Sequence, residues 1–115
     1  MRRPMVKFPA SLSHQMGKTD DRQKKWREQR KNRGFDDTEI WNLDGSFACL
    51  MLPRVKLYVE RCPFIKDSKW RKDMGAIIFA LELMASGDCI FDTEQDAAID
   101  NGLKKFAKHI RGMWI

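Results

Sequence analysis

Phe47-Ala48-Cys49-Leu50-Met51-Leu52-Pro53-Arg54-Val55-Lys56-Leu57-Tyr58-Val59 is the stretch that decides the fold class. At about 100° per residue its apolar side chains cover well over half of a helical circumference, and a helix that broadly apolar belongs at the centre of a domain. The spacing predicts a helix over 45–61 with Asp44 as its cap. Pro53 leaves the Cys49 carbonyl without its usual donor and predicts a kink. Pro63 stands just past the end, where a stop is expected.

Working outward, a second helix is expected over 68–86, capped by Asp67 or Ser68 and ended by Gly87. Trp70, Met74, Ile77, Ile78, Leu81 and Met84 form a stripe at helical spacing. Ala76, Phe79 and Leu83 form a second stripe, which fits either a central position or a contact between copies of the chain, with a two-fold pair as the default. A third helix is expected over 94–112, with Thr93 as cap and Asp96 completing a capping box. Ile99, Leu103, Phe106 and Ile110 line one face of it, with Met113 or Trp114 beyond, and Lys104, Lys108 and Arg111 line the opposite face. Asp36 and Glu39 predict one short helical turn ending near Trp41. Upstream, residues 19–33 carry a single large apolar side chain, Trp26, so a helix there is marginal alone. Thr19 is its expected cap and Gly34 its stop, and residues 1–18 read as a mobile tail. No segment alternates with period two. The expectation is an all-α fold: a compact bundle of three main helices plus a short helical turn over 34–115, with a basic, partly disordered or helical arm over 1–33.

The 115 residues suit one domain with a core of its own. No apolar run reaches the roughly 18–20 residues of a membrane span, and the N-terminal arginines precede no apolar run of the signal-peptide kind. A cytoplasmic protein with no membrane partner is expected. Cys49, Cys62 and Cys89 are odd in number and not spaced as Cys-x-x-Cys, which suits reduced thiols. With only His14 and His109 beside them, neither a metal site nor a cofactor is expected. Residues 1–34 carry a balance of +8 and residues 35–115 a balance of −2, so the net +6 belongs to the arm. A nearly neutral body limits any reading of the whole surface as a nucleic-acid footprint.

Gly34-Phe35-Asp36-Asp37, Trp41-x-Leu43-Asp44 and Leu52-Pro53-Arg54-Val55-Lys56 occur in that order, followed by Trp70 and Met74, then Gly102-Leu103-x-x-Phe106-Ala107-Lys108 and Trp114. Over about residues 33–115 this pattern resembles a family of small proteins encoded by tailed bacteriophages. The resemblance implies a helical accessory protein made in an infected bacterium, hence in the host cytoplasm. It implies no mechanism.

Arg54 falls inside the apolar arc of the 45–61 helix, and a partly buried guanidinium needs an anion. Asp44 or Glu82 would supply one internally. Otherwise a bound anion would, in a pocket opened at Pro53 with Lys56 on its rim. Trp41 is either a core plug or a stacking surface for a base. Lys104, Lys108 and Arg111 are either a solvated face or, if subunits pair, a basic pocket. In the arm, Arg22, Lys24, Lys25, Arg27, Arg30, Lys31 and Arg33 could neutralise phosphates while Trp26 stacks on a base. Gly-rich phosphate loops, Gly-x-Ser-x-Gly and His-Glu-x-x-His are all absent from the sequence, and His109 has no acid at i−4 or i+4. The expectation is a non-enzymatic accessory binder used in host takeover or against host defence. Its first form is a homo-oligomer that sequesters a small anionic nucleotide signal. The alternatives are an inhibitor of a host protein and a nucleic-acid binder acting through the arm.

Overall fold

The computed structural model describes residues 10–63, 67–86 and 90–115. The chain is all-α, with no strand among the described residues. Its helices are α1 (Gln23–Arg33), α2 (Leu43–Arg61), α3 (Ser68–Ala85) and α4 (Thr93–His109). A 3-10 turn, Asp37–Ile40, precedes α2, and another, Ile110–Gly112, tightens the end of α4. No helix among the described residues is long and apolar enough to cross a membrane.

Local chemistry explains the boundaries and corrects three expected caps. Asp67 caps α3 through the Trp70 N–H at 2.7 Å. The box of α4 is formed one residue earlier than Thr93 and Asp96 suggest: Asp92 accepts from the Gln95 N–H, and Gln95 accepts from the Asp92 N–H. Asp44 lies inside the first turn of α2 and accepts from the Gly45 N–H, while Asn42 precedes the helix without a side-chain cap. At α1, Thr19 makes no cap, and Asp20 engages Arg22 through both backbone and guanidinium. Gly34 ends α1 at φ 89°, a left-handed conformation that glycine adopts without steric cost. Gly87, the expected stop of α3, lies outside the described residues.

The core joins Ala48 and Val55 of α2 to Met74, Ile77 and Leu81 of α3, with Phe47 meeting Phe106 of α4 edge-on at 5.8 Å. The shared neighbour is α3, which packs on both α2 and α4. This corrects the expectation that the 45–61 helix is the central one. Its apolar arc is wider than the surface that covers it, and Leu43, Leu50 and Leu57 remain exposed. Between α3 and α4 the backbones come close at Gly102. A Cβ there would stand 2.3 Å from the Ala80 Cβ and 2.6 Å from the Ala76 carbonyl oxygen. The expected second stripe of α3 is therefore divided: Ala76 faces α4, whereas Phe79 is exposed.

Residues 10–33 do not hang free as a tail and arm. Trp26 is 2% exposed and meets Trp41 edge-on at 5.8 Å. Ser11 and Arg30 each donate to Asp36 at 2.5 Å, and the Thr38 N–H and hydroxyl complete its shell. Arg30 also donates to Ser13 at 2.8 Å, and the Leu12 N–H to Thr38 at 2.9 Å. The position 33/34 is thus bridged by a buried polar cluster. Burial would raise the pKa of the Asp36 carboxyl, but donors from Ser11, Thr38 and Arg30 outweigh it and hold the group below the ordinary carboxylate value. Residues 1–9 lie outside the described set.

Two measurements check this packing. Gly102→Ala gains up to about 1 kcal/mol of helix propensity but must force α3 and α4 apart, at about 1–3 kcal/mol, so it lowers the unfolding midpoint. Gly75→Ala, where no atom lies within 4 Å of the added Cβ, raises it. Asp36→Ala strands Arg30 and costs about 3 kcal/mol or more. It also exposes Lys24, Lys25 and Arg27 to rapid trypsin cleavage, read by intact mass.

Candidate functional site

Asp73 sits in α3 one residue before the core Met74, and it is only 4% exposed. A carboxylate carried on the core-facing side of a helix needs donors. Here α4 brings them, because the close approach at Gly102 sets the following two turns of α4 against α3. His109 Nε2 lies 2.8 Å from Asp73 Oδ2, Lys108 Nζ 3.6 Å from the same oxygen, and Lys105 Nζ 3.7 Å from Oδ1. The His109 hydrogen bond is the main cause of the lowered pKa of Asp73, with Lys105 and Lys108 adding to it against the effect of burial. The acid that orients His109 thus comes from another helix, which is why no partner was visible at i−4 or i+4.

Beside this cluster runs a cleft of about 350 Å³ between α3 and α4, lined by Lys69, Lys72, Asp73, Ala76, Asn101 and Lys105. Lys69 and Lys72 have no ion-pair partner among the described residues. The cleft lining thus carries three lysines, Lys69, Lys72 and Lys105, against the one carboxylate of Asp73, an excess of two positive charges. The walls offer amine and amide donors and an aliphatic floor at Ala76. They hold no Ser, Thr or Cys that could serve as a nucleophile. Chemically, the cleft can attract and hydrogen-bond an anion. No group of three or more metal-ligating side chains occurs among the described residues.

The residues expected from sequence are divided by the fold. Lys108 belongs to the Asp73 cluster, and Lys104 stands one turn before it, exposed. Arg111 is exposed in the 3-10 turn after α4. Arg54 is not buried: it is exposed, and its guanidinium donates to the Leu50 carbonyl at 2.6 Å rather than pairing with Asp44 or Glu82. It borders a separate depression of about 140 Å³ with Met51, Val55, Tyr58, Ile110 and Met113. Glu82 pairs instead with Lys56, at 3.7 Å on the surface. Trp41 is half exposed, with its edge on Trp26 and the Arg22 guanidinium 5.8 Å from its ring.

The arm cations divide in the same way. Arg22 pairs with Asp20, Arg30 with Asp36, and Lys25 and Arg33 with Asp37. Gln29 and Arg33 are the main causes that bring the Asp37 pKa down to about 2. Trp26 is buried, so it offers no face to a base, contrary to the stacking role expected for it. Lys24, Arg27 and Lys31 remain exposed on the outer side of α1, within about 60° of one another at helical spacing. Lys69, Lys72, Asp73 and Lys105 went unread at the level of sequence. The one signal there was Asp73 itself, an acid within the stripe that runs from Trp70 through Met74 and Ile77.

Asp36, Asp37 and Asp73 all titrate below the ordinary 3.8. The unfolded chain therefore takes up protons first, and stability present above about pH 4 is lost as pH falls towards about 2. The thermal midpoint should fall over that range, and less steeply in Asp73→Asn. A midpoint insensitive to pH there contradicts the three assigned environments.

No protein-family model, curated protein or solved structure matches this chain.

Proposed function

We propose that the chain is a binder of small phosphate-bearing anions, which it captures at the α3–α4 cleft and releases chemically unchanged. The observation that carries this reading is the excess of lysine over carboxylate in the cleft lining, where Lys69, Lys72 and Lys105 stand against Asp73 alone and Asp73 is already engaged by Lys105 and Lys108. Paired surface lysines are energetically quiet. Lysines in excess over their acids on a concave surface focus the field on whatever anion enters. A nucleotide suits the cleft because its phosphates answer the lysines while Asn101 offers both a donor and an acceptor. The likeness to small tailed-phage proteins supports a setting for this capture: an accessory protein acting in the cytoplasm of an infected bacterium, in host takeover or against a defence that signals through nucleotides.

A second reading rests on Lys24, Arg27 and Lys31, whose outward stripe on α1 fits the backbone of a nucleic acid. Deleting residues 1–33 is a poor test of it, since the deletion also uncovers Asp36. Reversing the three charges together leaves the buried side of α1 intact.

The test is calorimetric titration of the full chain with inorganic pyrophosphate, ATP and a cyclic dinucleotide at moderate salt. Lys72→Glu combined with Lys105→Glu should weaken the best of these at least tenfold, Arg54→Ala should leave it unchanged, and the recovered nucleotide should keep its mass. Equal affinity in the double variant contradicts the cleft as the site. Retention of a short duplex that is lost on reversing Lys24, Arg27 and Lys31 favours the second reading.

A further inference from the structure

We propose that the outward face of α2 is a two-fold interface, on which a second copy of this chain packs its own α2 antiparallel. Leu43, Leu50 and Leu57 are 64%, 41% and 42% exposed, on a helix whose other face forms the core. They recur every seven residues, a spacing that keeps side chains in one row drifting only about 20° per step. Across Leu43–Leu57 the row is about 21 Å long at 1.5 Å per residue. Ala10 covers Ser46 beside the row and leaves the leucines themselves open.

Two features commit the row to a copy of itself rather than to a different partner. First, the spacing is self-complementary. A two-fold axis at Leu50 sets Leu50 against Leu50 of the partner subunit and Leu43 against Leu57 of the partner subunit, so every leucine meets a leucine. Second, the charges run in opposite senses along one flank. Asp44 stands near the N-terminal end, and Arg54 stands towards the C-terminal end. Both are exposed, and neither has an ion-pair partner among the described residues. Related by that axis, side chains on one flank face the same flank of the mate. Arg54 then comes beside Asp44 of the partner subunit, offset by two residues, about 3 Å along the helix. A parallel pair would instead set this flank against the opposite flank of the mate, where Ser46, Cys49 and Pro53 offer Asp44 and Arg54 no opposite charge. Pro53 lies on the exposed side of the row, where its missing N–H is no obstacle to side-chain packing.

The interface lies on α2 and the anion cleft on α3 and α4, so its test is separate from that of capture. Sedimentation velocity of the full chain at about 100 µM should give a dimer. Leu50→Glu sets two carboxylates face to face at the axis and should give a monomer with an unchanged circular-dichroism spectrum. Leu43→Lys and Leu57→Glu should each weaken the dimer. Combined in one chain they should restore it, because each lysine then meets the glutamate of the mate. A wild-type monomer at that concentration overturns the proposal. So does a dimer indifferent to Leu50→Glu, or a double variant no better than its parents.

Discussion

The close approach of α3 and α4 at Gly102 is the constraint on which the rest of the chain depends. With only a hydrogen where other residues carry a side chain, α4 settles against Ala76 and Ala80 of α3. That contact fixes the distance between the two helices and the rotation of α4 about its axis. The rotation in turn decides which of its polar residues meet α3. One turn on, Lys105 reaches Asp73, and one further turn brings Lys108 and His109 to the same carboxylate. The apolar contact and the charged cleft are thus two consequences of one helix pairing.

Two enclosed carboxylates illustrate how the same chemistry serves different ends. Asp36 is wholly buried, with one guanidinium, two hydroxyls and an amide saturating it, and its charge is balanced by Arg30. That arrangement is closed, and its consequence is to tie residues 11–33 to the turn before α2. Asp73 faces a lysine excess and borders an open cleft. A balanced cluster has nothing further to attract, whereas an unbalanced one on a concave surface does. This difference is what makes the α3–α4 cleft the candidate place for a ligand.

Much of the architecture was legible because periodicity is a strong signal for long helices. The stripe from Trp70 to Leu81 marked α3, and Asp36 with Glu39 marked the short turn before α2. The site was harder to read. Arg54 attracted attention as a charge within an apolar arc, yet the arc of α2 is wider than its cover, so the arginine sits in solvent. The same reasoning applied to Asp73 would have succeeded, because the arc of α3 is covered on both sides, by α2 and by α4. Composition alone cannot tell these cases apart, since the difference lies in how many neighbours a helix has. Similarly, the arm read as solvated because Trp26 had no apolar companion of its own, and its burial depends on Trp41, fifteen positions away in sequence.

The central claim, that the α3–α4 cleft holds anions, is tested most directly by mapping where an anion touches the protein. Backbone amide resonances of the full chain would be followed during titration with inorganic pyrophosphate. Binding at the cleft predicts shifts that saturate together at Lys69, Lys72, Ala76, Asn101 and Lys105, with α2 undisturbed. Shifts confined to Lys24, Arg27 and Lys31, or none at the cleft at saturating pyrophosphate, would contradict it.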